Sequence, residues 1–99
     1  MTRIVWTDEA SDSLAAVHDY IARDSVRYAV SVCADIVDAV DQLGVFPESG
    51  RVVPELADPA YRELIHGSYR IVYRLPARDL VEVLTVYHGA RLLRLELPG

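Results

Sequence analysis

The sequence predicts an α+β fold in which a helical hairpin packs on one face of an antiparallel sheet, with the element order β-α-α-β-β-β. Apolar residues recur with a helical period up to Leu43, whereas from Arg62 onward they alternate as they do in strands. A chain of 99 residues, 52% of them hydrophobic, has room for one core. We therefore expect a single domain over residues 1–99.

The first part of the chain predicts a strand that leads directly into a helix. Residues 3–6 are rich in strand-forming side chains, and Thr7 precedes two acids, Asp8 and Glu9. A hydroxyl residue before a first turn with negative charge is typical of a helix N-terminus. One helical face then collects the apolar residues Ala10, Leu14, Val17 and Ile21.

A second helix begins after Asp24 and Ser25, which interrupt the first helix and cap the second. From Ala29 to Leu43 nearly every residue outside one narrow polar stripe is apolar, which predicts a helix buried over most of its circumference. Two helices joined by about two residues are antiparallel neighbours. We also expect Trp6, Tyr20 and Tyr28 to lie in or near the core.

The remaining residues predict a loop and three strands. Residues 47–59 form the loop, and residues 62–66, 69–75 and 80–87 form the strands, joined at 67–68 and 76–79. Alternation directs Tyr69, Ile71 and Tyr73 toward the helices and Arg70 and Arg74 to the other face. The tail, residues 91–99, fits a strand slightly better than a helix.

The charge pattern bears on partners. The formal net charge is -5, and all ten basic residues are arginine, seven of them at position 51 or later. A negative chain lacks long-range attraction for nucleic acid, but arginines concentrated in one half can still build a local cationic surface.

Other function classes are excluded by what the chain lacks. It has no apolar run long enough for a membrane span, so we expect a cytoplasmic protein that binds no membrane. Cys33 lies on an apolar helix and is expected to be a small buried side chain. No His/Cys spacing indicates a metal, and no cofactor is implied.

Several short motifs occur in an order that resembles the RelE/ParE superfamily of toxins from type II toxin-antitoxin modules. They are Phe46-Pro47-Glu48-Ser49-Gly50-Arg51, Val53-Pro54-Glu55, Arg62-Glu63-Leu64, Tyr69-Arg70-Ile71-Val72-Tyr73-Arg74 and His88-Gly89-Ala90-Arg91. The loop and the His-Gly-Ala-Arg ending look more like the ParE branch. The resemblance covers nearly the whole chain and implies the same β-α-α-β-β-β fold.

The resemblance implies three alternative functions. A ParE-like toxin poisons DNA gyrase by binding and is neutralised by a ParD-like antitoxin in a hetero-oligomer. Such a module would serve plasmid stabilization. A RelE-like toxin, whose antitoxin is RelB-like, is an endoribonuclease that cuts mRNA on the ribosome. An inactive relic would only bind antitoxin. Gly89, where RelE-like enzymes place an aromatic residue, the absence of lysine and the acidic net charge favour the ParE-like toxin or the inactive relic over the endoribonuclease.

The candidate site residues follow from these alternatives. For target or partner binding we expect Arg62, Arg70, Arg74 and Arg91. A RelE-like nuclease would instead use Arg70, His88, Glu55 and Arg91 for charge stabilisation and proton transfer. The structural alternative is that Arg70 and Arg74 pair with Glu63 or Glu82 across the sheet, and that His88 is a strand-end residue.

Strand register separates these alternatives further. If the turn at residues 76–79 has an even number of loop residues, Arg70 opposes Thr85, and Arg70 and His88 lie on opposite faces. A three-residue loop or a bulge would place them on one face.

Overall fold

The computed structural model describes residues 2–89, which form two helices and a five-stranded sheet. The elements in chain order are β1 (Arg3–Trp6), α1 (Asp8–Ala22), α2 (Val26–Asp41), a short 3₁₀ turn (Gln42–Gly44), β2 (Arg51–Val52), β3 (Tyr61–His66), β4 (Tyr69–Ala77) and β5 (Leu80–His88). The predicted α+β class, with a helical hairpin after the first strand, is confirmed. The structure adds one strand, β2, to the predicted β-α-α-β-β-β order, and the sheet is mixed instead of purely antiparallel. The tail, for which a strand was predicted, lies outside the described residues.

The sheet has the order β1-β5-β4-β3-β2 and is mixed. β1 pairs in parallel with β5, with Arg3 opposite Leu80, while the other neighbours are antiparallel. The helical hairpin connects β1 to the rest of the sheet across one face, which is the crossover that a parallel pair requires. β2, two residues long, lies inside the segment predicted as a loop.

The predicted helix caps are confirmed. The Thr7 Oγ1 atom accepts a hydrogen bond from the backbone N–H of Ala10 at 3.1 Å, and Ser25 Oγ accepts one from Tyr28 N–H at 3.1 Å. The Thr7 hydroxyl also donates to the carbonyl of Val83 at 2.8 Å. One side chain therefore caps α1 and fastens it to β5.

The prediction that α2 is buried over most of its circumference is wrong. α2 buries one stripe, Ala29, Val32, Ile36 and Val40, and leaves Val26, Tyr28 and Val30 more than half exposed. Tyr20 on α1 is also exposed, so the core positions expected for Tyr20 and Tyr28 are wrong, whereas Trp6 packs on the core. A single sheet face covers only one side of each helix.

Apolar side chains pack on both faces of the sheet. The main core lies between the helices and the sheet and includes Ile71 and Tyr73, as predicted. A smaller cluster on the opposite face joins Val72 and Tyr87 to Val53, which lies in the loop after β2. The sheet face that carries Arg70 and Arg74, which we call the arginine face, is therefore partly covered by the chain itself.

The β4–β5 register contains two irregularities. Arg70 pairs with Tyr87 and Tyr69 pairs with His88, after shifts between Val72 and Tyr73 and between Arg74 and Ala77. One extra residue on each strand cancels the other, so the alternation of faces is preserved. The prediction that Arg70 and His88 project from opposite faces is confirmed, although the pairing partner expected for Arg70, Thr85, is wrong.

Within residues 2–89 neither helix is long and apolar enough to cross a membrane. The same residues contain no group of three His, Cys, Asp or Glu side chains placed to hold a metal ion. Cys33 is half-buried, and burial raises the pKa of its thiol.

Candidate functional site

Four charged side chains from three strands and one loop meet on the sheet face opposite the helices. Arg51 comes from β2, Glu63 from β3 and Arg70 from β4, while Glu55 comes from the loop after β2. We call these four residues the charged cluster. Strand pairing places Arg51 opposite Glu63, and alternation gives Arg70 the same face.

Glu63 lies at the centre of the charged cluster, and its side chain has no solvent exposure. Its Oε2 atom accepts from Arg51 Nε at 2.6 Å and its Oε1 atom accepts from Arg70 Nε at 2.8 Å. Both carboxylate oxygens are thus bound by guanidinium groups. A buried carboxylate needs such compensation because burial removes its hydration.

Arg70 directs each of its guanidinium nitrogens at a glutamate. Nη1 and Nη2 donate to the two oxygens of Glu55, each at 2.8 Å, and Nη2 also contacts Glu63 Oε1. The hydrogen bond from Arg70 lowers the pKa of Glu55 to about 2, and the same bond raises the pKa of Arg70. The cluster contains two positive and two negative groups, so its formal charge is zero.

Tyr87 lies beneath Arg70. The Arg70 Cζ atom is 5.3 Å from the centre of the Tyr87 ring, which is a cation–π contact. The Tyr87 hydroxyl is buried and has no hydrogen-bond partner among the described residues. Burial is the main cause that raises its pKa, and the charge of Arg70 partly opposes that effect.

Arg62, expected in binding, is directed at backbone carbonyls of the loops. Its Nε donates to Pro59 at 3.1 Å, and its Nη1 donates to Glu48 at 3.2 Å and to Gly50 at 3.1 Å. These bonds tie the loops on either side of β2 to β3. Arg62 thus holds the segment that carries Arg51 and Glu55.

Of the other two arginines expected in binding, Arg74 forms an ion pair within the sheet. Arg74 lies opposite Glu82 in the sheet, and its Nε donates to Glu82 Oε1 at 2.9 Å. The structural alternative, in which Arg70 and Arg74 pair with acids such as Glu63 or Glu82 across the sheet, is therefore confirmed. Arg91 lies outside the described residues.

A shallow depression of about 360 Å³ opens where β3, β4 and β5 end, next to the charged cluster. We call it the sheet-end depression. Arg70 and His88 both line it, although they project from opposite faces, because the depression lies at the strand ends rather than on one face. His88 also packs edge-on against Tyr69, with ring centres 5.7 Å apart. The remaining lining residues are Arg51, Ile65, Gly67, Ser68, Tyr69 and Gly89.

A second, more apolar cavity lies between α1 and β5. It has a volume of about 590 Å³, and we call it the α1–β5 cleft. Ala16, Val17 and Tyr20 line it from α1, and Val86 and His88 line it from β5. This cleft is large enough to receive side chains of another protein.

Sequence reasoning gave Glu63 only a pairing role and missed Tyr87. The position of Glu63 in an alternating strand between Tyr61 and Ile65 shows its face, but its burial depends on how β2 and the following loop fold over it. For Tyr87 the alternating pattern of β5 indicates only which face of the sheet it occupies. Its contact with Arg70 depends on the β4–β5 register, which the sequence does not show.

Comparison with known proteins gives consistent results. Residues 4–93 match a family described as the ParE toxin of the type II toxin-antitoxin system parDE. Toxin RelE2 of Caulobacter vibrioides is 34% identical over 92 residues, which cover 93% of this chain and 100% of that protein.

Solved structures show the same fold. A chain of the chromosomal ParDE system of P. aeruginosa superposes with a TM-score of 0.72 at 23% identity, over 89% of this chain and 96% of that one. A chain of the RelBE2 toxin-antitoxin complex of Mycobacterium tuberculosis gives 0.63 at 23% identity, over 88% and 96%.

Proposed function

The chain belongs to the ParE toxin family of type II toxin-antitoxin systems, and from this premise we propose that it binds and poisons DNA gyrase without catalysing a reaction. The zero formal charge of the charged cluster is the observation that supports binding over catalysis. RNA cleavage develops negative charge that needs an available cation, and here Arg70 is matched by Glu55 and Glu63.

The second candidate is a RelE-like endoribonuclease that cuts mRNA on the ribosome. One observation favours it: Arg70 and His88 line the same sheet-end depression. In that mechanism Arg70 would stabilise the phosphorane charge and His88 would transfer a proton, with Glu55 and Arg91 assisting. The likeness to Toxin RelE2 is compatible with this candidate.

The proposed partner is a cognate ParD-like antitoxin, which would form a hetero-oligomer with this chain in the cytoplasm. Both structural neighbours come from toxin-antitoxin systems. The α1–β5 cleft offers an apolar groove, and exposed Tyr20 at its margin adds aromatic area. We assign the antitoxin to this cleft.

The target contacts proposed for this function are Arg70 and Arg74, with Arg62 acting indirectly through the loops that it holds. Arg91 is proposed from the family resemblance alone. Arg74→Ala should reduce toxicity, whereas Arg78→Ala, which removes the same charge from the exposed β4–β5 turn, should not. Full toxicity of both Arg70→Ala and Arg74→Ala variants would eliminate the arginine face as the target surface.

Conditional expression without antitoxin separates the candidates. Incorporation of labelled DNA, RNA and protein precursors is followed after induction. Gyrase poisoning predicts an early fall in DNA synthesis with DNA damage and filamentous cells. An immediate fall in protein synthesis with cut transcripts would contradict it and favour the ribonuclease, while unimpaired growth would indicate an inactive relic.

A further inference from the structure

Two glutamates occupy the hydrogen-bonding nitrogens of the Arg70 guanidinium group. Each Arg70 guanidinium nitrogen donates to Glu55 or Glu63. A ligand oxygen that binds the two Nη atoms must therefore displace a carboxylate. The carboxylates of Glu55 and Glu63 differ in how easily a ligand could displace them from Arg70.

Glu63 is held in place by burial and by two arginines. Its side chain has no solvent exposure and is also bound by Arg51. Glu55 differs, because 37% of its side chain is exposed and its carboxylate is held in this cluster by Arg70. The neighbouring Val53 and Leu56 belong to the small apolar cluster that fastens the loop. Glu55 can consequently rotate into solvent while the loop stays in place.

We propose that the Nη atoms of Arg70 form a carboxylate-binding site for an acidic side chain of a partner protein, with Glu55 as the internal occupant that the partner displaces. Two bonds of 2.8 Å to the two oxygens of Glu55 show that this end of Arg70 fits a planar carboxylate. The backbone around the arginine stays unchanged when one carboxylate replaces the other.

The buried hydroxyl of Tyr87 supports a ligand site here. It has no hydrogen-bond partner among residues 2–89, and the ring that carries it lies with its centre 5.3 Å from the Arg70 Cζ atom. A buried hydroxyl without a partner costs free energy. An unpaired donor is therefore carried by the ring on which the Arg70 guanidinium packs.

A carboxylate is favoured over a nucleic acid by charge. The whole chain has a formal net charge of -5, which repels a polyanion, whereas one acidic side chain brings a single charge that Arg70 matches. The open side of Arg51, 58% exposed, lines the adjacent sheet-end depression and adds a second cation nearby. A partner's acidic side chain can reach Arg70 from that depression.

The test is an NMR titration of the purified full chain with N-acetylglutamate amide, using N-acetylglutamine amide as the uncharged probe. In the wild type Glu55 competes with the probe, so the apparent affinity is reduced by the fraction of closed sites. Glu55→Ala should bind the charged probe about tenfold more tightly than the wild type, with the largest shift at the Arg70 Nη–H resonances. Glu48→Ala removes the same charge from an exposed site without an Arg70 contact and should change affinity less than about twofold.

A second variant tests the role of the bidentate guanidinium. Arg70→Lys in the Glu55→Ala background keeps a cation beside Glu63 but cannot present two parallel N–H groups, so the tenfold gain should disappear. Equal affinity in Glu55→Ala and Glu48→Ala would overturn the proposal. So would a gain for inorganic phosphate or a short single-stranded RNA that exceeds the gain for the carboxylate. Because no gyrase is present, the outcome is independent of the proposed function.

Discussion

Glu63 is the residue on which the charged cluster depends. Its carboxylate is fully buried and separates two guanidinium groups that would otherwise repel each other. Arg51 comes from a strand of only two residues, and its guanidinium group is held by Glu63. Glu63 therefore stabilises the β2–β3 pair through charge compensation as well as through backbone hydrogen bonds.

Replacing Glu63 by glutamine should lower the free energy of unfolding by about 2 kcal/mol, because two arginines lose a charged partner in a buried site. Urea unfolding at neutral pH measures this loss. The matched variant Glu82→Gln removes the partner of Arg74 at a partly exposed position and should cost less than about 1 kcal/mol. Equal costs for the two variants would show that burial of Glu63 has no special importance.

The Glu55–Arg70 pair should make stability depend on pH in the acid range. The folded-state pKa of Glu55 is about 2, below the ordinary value of 4.5, so the pair stabilises the fold above about pH 4.5 and this contribution is lost as the pH falls toward 2. The difference in melting temperature between the wild type and Glu55→Gln should shrink over this interval. Glu48→Gln serves as control, and a difference that is constant from pH 7 to 2 would contradict the assignment.

Among the elements, the turn before β2 is fixed by contacts with the sheet. The Tyr73 hydroxyl accepts from the Gly50 N–H at 3.0 Å and donates to the Pro47 carbonyl at 2.8 Å. A Cβ atom at Gly50 would lie 2.6 Å from the Tyr73 oxygen and 2.7 Å from the Glu63 carbonyl oxygen. This close approach explains glycine in the Gly-Arg motif.

Gly50→Ala should therefore lower the free energy of unfolding by about 2 kcal/mol, since the turn must move away from β3 and β4. Gly44→Ala is the matched substitution, because a Cβ there would make only ordinary contacts at 3.7 and 3.8 Å, and it should cost less than about 1 kcal/mol. Thermal and urea unfolding measure both. If Gly50→Ala proves as stable as Gly44→Ala, the turn is not held as described.

The α1 helix provides a test of antitoxin binding. Ala16 lines the α1–β5 cleft, whereas its exposed neighbour Ala15 does not. Ala16→Arg should weaken binding of the cognate antitoxin at least tenfold, about 1.4 kcal/mol, because the longer side chain fills the cleft. Ala15→Arg adds the same residue outside the cleft and should change affinity less than about twofold. Calorimetric titration of each variant, with circular dichroism as a folding check, would reject the cleft if both bind equally.

At the scale of the whole molecule, local sequence patterns predicted the helices and most strands. The pairing of distant strands could not be predicted from such patterns. Thr7 and Ser25 show their capping role in the sequence because a cap involves residues close in the chain. The parallel pairing of Arg3 with Leu80 and the two register shifts join distant segments and leave no local pattern. The exposed Val26, Tyr28 and Val30 show that apolar composition does not reveal which faces the chain itself covers.

The candidate site was also predicted only in part. Pairing of Arg70 with Glu63 follows from two adjacent strands whose faces are set by alternation. The contact with Glu55 could not be predicted, since it depends on the path of the loop after β2. That loop changes the arginine face from an open cationic surface into a charge-balanced cluster, and this balance favours binding over catalysis.

Purified gyrase provides the most direct test of the proposed function. The chain is added to a DNA supercoiling reaction, and double-strand cleavage complexes are measured beside ribosome-dependent cutting of an mRNA. The proposal predicts inhibited supercoiling with accumulated cleavage complexes, reversal by the cognate antitoxin, and intact mRNA. Unaffected gyrase together with mRNA cut on the ribosome would contradict it.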